Sequence, residues 1–117
     1  MLIKQKILDV YCHGLEENDT DKVISLFSEK GLVHSPLYGL MPHKEFYKTL
    51  FDNTYRTKVE LKNFFSNSHL GNAMAAHLFY VGGINGQPAE QFECVDIFDL
   101  DSENKIKKLT IIRDTRR

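Results

Sequence analysis

The sequence predicts an α+β fold in which helices come first and a mainly antiparallel sheet follows. Apolar residues recur at helical spacing before about residue 56 and alternate with other residues after it. The strongest turn signal, Asn85-Gly86, lies between two alternating segments, which is typical of a β-hairpin. We therefore expect three helices to pack on one face of a curved sheet.

The first predicted helix spans about residues 2–17. Its apolar positions recur every three or four residues and form one stripe. They are Ile3, Ile7, Leu8, Tyr11 and Leu15. The segment 18–21, Asn-Asp-Thr-Asp, breaks this helix and supplies cap residues for the next one.

The second helix is expected to carry Val23, Ile24 and Phe27 and to end at Gly31. A short strand, residues 32–34, should follow and stop at Pro36. Pro42 then opens a third helix, where its missing N–H leaves no hydrogen bond unmade. The buried face of that helix is Phe46, Tyr47, Leu50 and Phe51. His43, in its first turn, is expected at the surface.

Four strands are predicted in the second half of the chain. In the first, Val59, Leu61, Asn63 and Phe65 share one face. The others span about residues 72–82, 89–100 and 105–114. The third of the four places Phe92, Cys94, Asp96 and Phe98 on one face.

Composition narrows the class of protein. The 117 residues fit one domain, residues 1–117, and carry a formal net charge of -1. This balance argues against nucleic acid and against an anionic membrane as partners.

Cys12 and Cys94 lie far apart and form no CxxC motif, and the amino terminus does not resemble a signal peptide. We therefore expect a cytoplasmic protein. Without a P-loop, a GxGxxG motif or zinc-type spacing, we expect no cofactor and no metal.

Several short segments, taken in order, carry a family resemblance: 11–15 with 18–19, 23–27, 33–36 with Gly39, 46–47, 95–98 and 105–106. Together with the order of elements, they resemble the nuclear transport factor 2-like superfamily, in its SnoaL-like and ketosteroid isomerase-like branch. The resemblance implies a cone-shaped domain, with three helices inside a strongly curved, mixed, mainly antiparallel sheet. It also implies a deep apolar pocket and a homodimer formed through the sheet.

Asp96 is the first candidate catalytic residue. An acid on an apolar strand face loses hydration, which raises its pKa and lets it act as a general acid or donate to an oxyanion. By resemblance, Asp96 and Tyr11 fall at the oxyanion-hole positions of ketosteroid isomerase. The alternatives are an aspartate that faces outward or forms a salt bridge, for example with Arg113, and an ordinary core tyrosine.

The base of that enzyme has no counterpart in this sequence. The resemblance implies a carboxylate directly before the proline of the short strand, where Ser35 stands. His34 is the neighbouring titratable group and is our candidate for the base. Because successive strand residues face opposite sides, His34 reaches the pocket only if the chain twists at Pro36.

The remaining expected pocket residues bind rather than react. They are Ser35, Phe92, Cys94, Phe98 and Arg113. Arg113 could hold a ligand carboxylate. Together with Asp96 and Asp114 it also suggests the Asp–Arg–Asp set of related epoxide hydrolases.

These residues lead to a functional hypothesis with an alternative. We expect a SnoaL-like small-molecule enzyme that performs isomerase- or cyclase-type proton transfer on an apolar carbonyl substrate. The alternative is a non-catalytic ligand-binding or protein-interaction domain, which the serine at position 35 favours. Epoxide hydrolysis is a third possibility.

Overall fold

The computed structural model describes residues 2–67 and 72–113. Its three helices are α1 (Leu2–Glu16), α2 (Thr20–Ile24) and α3 (His43–Asn53). Asp19 caps α2, because its side chain accepts a hydrogen bond from the Lys22 amide at 3.1 Å. Pro42 precedes the first residue of α3, close to the predicted position. None of these helices is both long enough and apolar enough to cross a membrane.

Six strands form one mixed sheet that packs against the helices. They are β1 (Phe27–Ser35), β2 (Gly39–Pro42), β3 (Thr54–Asn67), β4 (Ala73–Ile84), β5 (Glu90–Leu100) and β6 (Ile106–Arg113). Their order in the sheet is β2-β1-β6-β5-β4-β3. The pair β1 and β6 is parallel and the other four pairs are antiparallel. The predicted α+β class, mainly antiparallel, is confirmed.

The second helix is shorter than the sequence analysis predicts. It ends at Ile24, and Phe27 opens β1 by pairing with Ile106 of β6. Gly31 therefore lies inside the strand instead of ending the helix. A Cβ at Gly31 would lie 2.8 Å from the Phe27 ring and 3.1 Å from the Ile106 carbonyl oxygen. Glycine is needed here for close packing at the irregularity in β1, not for a helix cap.

Two expectations about exposure are also wrong. The register of β3 shifts between Leu61 and Asn63, so Phe64 packs on the core and Phe65 is 64% exposed. Such a bulge reverses the alternation of the residues beyond it. His43, expected at the surface, is buried; its ring stacks on Phe27 and its Nδ1 is 3.0 Å from the Gly31 carbonyl oxygen.

The inner face of the sheet and the helices enclose one apolar core. On β5, Cys94, Asp96, Phe98 and Leu100 point into it, and Phe92 is half-buried on the same face. This alternation agrees with the predicted strand face. It brings an aspartate into the interior of the protein.

Candidate active site

A cavity of about 340 Å³ opens between the helices and the inner face of the sheet. This volume is in the range of small-molecule sites. Its apolar wall includes Leu15, Phe46, Leu50, Tyr80, Phe92 and Ile111. The polar side chains at its surface include Tyr11, Ser35, Arg56, Glu90, Cys94 and Arg113. A mainly apolar wall with a few polar groups suits a small apolar ligand that carries one or two oxygens.

Tyr11 lines the cavity and is held from behind by a second tyrosine. The hydroxyl oxygens of Tyr11 and Tyr47 are 2.7 Å apart, and both side chains are fully buried. The Tyr11 ring also packs edge-on against Phe98. Burial, followed by the charges of Tyr47 and Asp96, raises the pKa of Tyr11 well above its ordinary value. Both phenols are therefore protonated donors at neutral pH.

Tyr47 lies on the buried face predicted for the third helix, but its pairing with Tyr11 was not predicted. Tyr47 does not line the cavity. When Tyr47 donates its hydrogen to the Tyr11 oxygen, the Tyr11 hydrogen is free to bind a ligand oxygen. In this arrangement both hydroxyl hydrogens have an acceptor once a ligand is bound.

Asp96 is buried behind the cavity wall. It is 1% exposed, and neither carboxyl oxygen has a hydrogen-bond partner among the described residues. Burial raises the pKa of Asp96 to about 7. Its cross-strand neighbours are Ala76 and Ile111, neither of which offers a side-chain donor. The alternative, a pairing with Arg113, is not present, so this carboxyl has no counter-charge in hydrogen-bond contact among the described residues.

Asp96 nonetheless lies within electrostatic reach of the cavity. Its charge contributes to the raised pKa values of Tyr11, Tyr80 and Cys94, all of which line the cavity. Burial is the larger cause in each case. The structure thus brings Tyr11 and Asp96 into one region, although no direct hydrogen bond joins them.

His34 and Ser35 have the orientations that strand alternation predicts. Ser35 is buried and lines the cavity, and its Oγ accepts a hydrogen bond from the Tyr38 amide at 3.0 Å. His34 is exposed and does not line the cavity. No twist at Pro36 turns it inward, so the structure does not place His34 where a base for this cavity would act.

Three of the four other expected ligand-binding residues line the cavity. They are Phe92, Cys94 and Arg113. Phe98 does not: it is completely buried and packs against the ring of Tyr11. Burial raises the pKa of Cys94 to about 12, so its thiol is not a nucleophile at neutral pH.

The expected Asp–Arg–Asp set is not assembled from the described residues. Arg113 lies over the Phe92 ring, with its guanidinium carbon 3.9 Å from the ring centre. Asp114 lies outside the described residues.

Tyr80 and Arg56 are among the cavity residues that were not recognised in the sequence. Tyr80 lies on the inner face of β4, and its ring stacks on Phe92 with centres 5.0 Å apart. The alternation of β4 could have indicated it. Arg56 reaches the cavity because the register of β3 shifts beside it, which no sequence pattern signals. In the described part of the chain, no group of three or more His, Cys, Asp or Glu could hold a metal ion.

Comparison with known proteins identifies the fold. No family model matches the chain, and no curated protein matches it. Many solved structures do match, though at low sequence identity. One is SalBIII, an epoxide hydrolase/cyclase-like enzyme with a role in pyran ring formation in the polyether salinomycin. It is 15% identical, with a TM-score of 0.80, over 97% of this chain and 92% of that chain.

Two other matching structures are described by the name of their fold. An NTF2-like protein of unknown function from Exiguobacterium sp. 255-15 is 21% identical, with a TM-score of 0.76, over 94% of this chain and 99% of that one. A protein with a ketosteroid isomerase-like fold from Catenulispora acidiphila, in complex with trimethylamine, is 12% identical. Its TM-score is 0.79, over 93% of this chain and 85% of that chain. The chain therefore has the nuclear transport factor 2-like fold shared by SnoaL-like and ketosteroid isomerase-like proteins.

Proposed function

We propose that this protein is a SnoaL-like enzyme that performs isomerase- or cyclase-type proton transfer on an apolar carbonyl compound. The observation that carries the proposal is the combination of two kinds of polar group beside the cavity. A phenol pair, Tyr47 and Tyr11, reaches the wall, and a buried carboxyl, Asp96, lies nearby without a partner. A perturbed acid beside a cavity is a common mark of a functional site. The similar fold of SalBIII supports small-molecule chemistry in this type of pocket.

Tyr11 would stabilise the negative charge that develops on the substrate oxygen. In the proposed order Tyr47 donates to Tyr11, and Tyr11 donates to the carbonyl oxygen. The apolar surroundings strengthen such a bond, and the donors are already in place before the reaction begins. Fixing Tyr11 from behind is thus the role of Tyr47.

Asp96 would move the proton. With a pKa of about 7, the carboxyl is populated in both forms near neutral pH, which is where general acid–base catalysis is most effective. The carboxylate would take a proton from the carbon beside the carbonyl and return it to another carbon. Since no described residue bonds to its oxygens, rotation of this side chain towards the cavity breaks no hydrogen bond. This role replaces the missing base at Ser35.

Binding and proton transfer are tested separately. 2-Naphthol, an apolar phenol that resembles an enolate, should bind in the cavity and change its fluorescence. Tyr11→Phe should weaken binding about tenfold, because one hydrogen bond to the ligand oxygen is lost. Tyr47→Phe should weaken it less, since Tyr11 remains.

Proton transfer is followed with 2-tetralone in deuterated water, where NMR detects exchange of the hydrogens beside the carbonyl. The wild type should accelerate exchange, and Asp96→Asn should abolish the acceleration while still binding 2-naphthol. Absence of accelerated exchange in the wild type would contradict the enzymatic proposal.

A non-catalytic ligand-binding protein is the second candidate. It is favoured by the shielding of both Asp96 oxygens from the cavity and by the serine at position 35. In that case 2-naphthol binds with the same dependence on Tyr11, and 2-tetralone shows no accelerated exchange. For both candidates we also propose a cytoplasmic location, supported by the two free cysteines, Cys12 and Cys94.

A further inference from the structure

Arg113 places a guanidinium in the cavity wall that forms no salt bridge within 4.0 Å with any described residue. Its side chain is half-buried, and its Nε is fully buried without a hydrogen-bond partner. The guanidinium lies over the ring of Phe92, which in turn stacks on Tyr80. The aromatic face fixes the position of the cation, but it does not satisfy the N–H groups.

Arg56, the other arginine of the cavity, shows the contrast. Its Nε donates to the Leu15 carbonyl oxygen at 3.0 Å and its Nη1 donates to Thr54 Oγ1 at 2.7 Å. Its Nη2 donates to Asn18 Oδ1. Arg56 is thus anchored to the protein, whereas Arg113 still has donors for a ligand.

The position of Arg113 along the sheet defines the shape of such a ligand. Arg113 pairs with Cys94 in the register of β5 and β6, and its guanidinium reaches the level of Phe92. Asp96 lies four residues beyond Phe92 on the same strand, which is roughly 13 Å at about 3.3 Å per residue. The Tyr11 ring packs edge-on against Phe98, two residues further along the strand. The cation and the phenol ring therefore lie beside different positions along β5.

A carboxylate is the group that fits Arg113. The planar guanidinium offers parallel N–H donors that match the two oxygens of a carboxylate. An apolar environment strengthens that pairing and makes an unpaired cation unfavourable. A neutral hydroxyl or carbonyl offers a single oxygen, whereas a carboxylate offers two oxygens and the opposite charge.

We propose that the natural ligand is an elongated, apolar oxo-carboxylic acid. Its carboxylate pairs with Arg113, its apolar body lies along Phe92 and Tyr80, and its carbonyl oxygen meets Tyr11. This inference rests on the proposed function, because it assigns the substrate class of the same cavity.

The test compares two fluorescent probes that differ by one group. 6-Hydroxy-2-naphthoate carries a hydroxyl and a carboxylate at opposite ends of a naphthalene, and 2-naphthol lacks the carboxylate. At about pH 6 the carboxylate is ionised, and the wild type should bind 6-hydroxy-2-naphthoate about tenfold more tightly than 2-naphthol. Arg113→Gln should remove this preference and leave 2-naphthol binding within about twofold of wild type.

Lys107→Gln is the matched control, since Lys107 is an exposed cation on the same strand. This substitution should leave the affinities for 6-hydroxy-2-naphthoate and for 2-naphthol unchanged. The inference is overturned if the carboxylate gives no preference, or if Arg113→Gln keeps the preference. Binding of 2-naphthol that depends on Tyr11 would then still support the proposed function. If neither probe binds, both proposals fail.

Discussion

Asp96 is an unfavourable residue for the stability of this protein. Its carboxyl is fully buried and has no described partner. An acid in such a place is protonated in the folded state at a pH where it is already ionised in the unfolded chain. Its pKa rises from 3.8 to about 7 on folding. Folding therefore binds a proton between these two values, and stability falls as the pH rises through that interval.

Replacing Asp96 with asparagine should remove the fall in stability at higher pH. Asp96→Asn has no charge to bury, so its stability relative to wild type should increase between about pH 5 and about pH 8. The change should be roughly 2–3 kcal/mol, from about 1.4 kcal/mol per pKa unit. Urea denaturation of both proteins at the two pH values measures it. A difference between the proteins that stays constant with pH would show that Asp96 is not protonated on folding.

Residue patterns identified part of the site. The alternation of β5 placed Asp96 inside, and the stripe of α1 placed Tyr11 inside. Alternation also fixed the opposite orientations of His34 and Ser35. These patterns do not identify the partner of a buried side chain. The Tyr11–Tyr47 pair and the stack of Arg113 on Phe92 join residues that are far apart in sequence.

At the scale of elements, the irregular strands decide which residues reach the cavity. The register of β3 shifts between Arg56 and Lys58, next to Gly82 of β4. A Cβ at Gly82 would lie 2.2 Å from the Tyr55 carbonyl oxygen, which is too close for any side chain. Glycine thus allows the two backbones to approach where Arg56 turns towards the cavity.

Gly82→Ala should therefore force β3 and β4 apart. We expect a loss of about 1–3 kcal/mol of stability, as for an overpacked interior. Gly83→Ala is the matched control, because the nearest atom to its Cβ would be the Pro88 carbonyl oxygen at 3.2 Å. It should cost less than about 1 kcal/mol. Equal unfolding free energies for the two variants in urea would contradict the role given to Gly82.

The elements themselves were predicted where their signals are local. The helices α1 and α3 and the strands β4, β5 and β6 follow periodicity, caps and one turn. The boundary between α2 and β1 was missed because the pairing of Phe27 with Ile106, 79 residues later, overrides the helical spacing. The strand β2 was missed because it is four residues long and pairs only with β1.

At the scale of the whole molecule, the outer face of the sheet is partly apolar. Val95 and Ile112 are cross-strand neighbours and are 39% and 52% exposed, and Phe65 is exposed on β3. The homodimer expected through the sheet remains a prediction. A second copy could bury this face, and the net charge of -1 offers little repulsion between copies.

Ile112→Lys would place a charge at the centre of that face. If the face joins two copies, the variant should sediment as a monomer where the wild type sediments as a dimer. Ile84→Lys, a comparable change of an exposed isoleucine at the cavity mouth, should keep the wild-type behaviour. A wild type that sediments as a monomer, or an Ile112→Lys dimer, would exclude this interface.

The parallel pairing of β1 with β6 has a consequence for how the chain folds during synthesis. The strand β1 emerges early from the ribosome, yet its inner neighbour in the sheet is the last of the six strands to be made. Contacts between such distant segments form slowly, because a long loop must close before they stabilise anything. Until β6 emerges, β1 has only the short β2 beside it. The nascent chain thus carries an open sheet edge until β6 emerges, and the cavity stays incomplete until then.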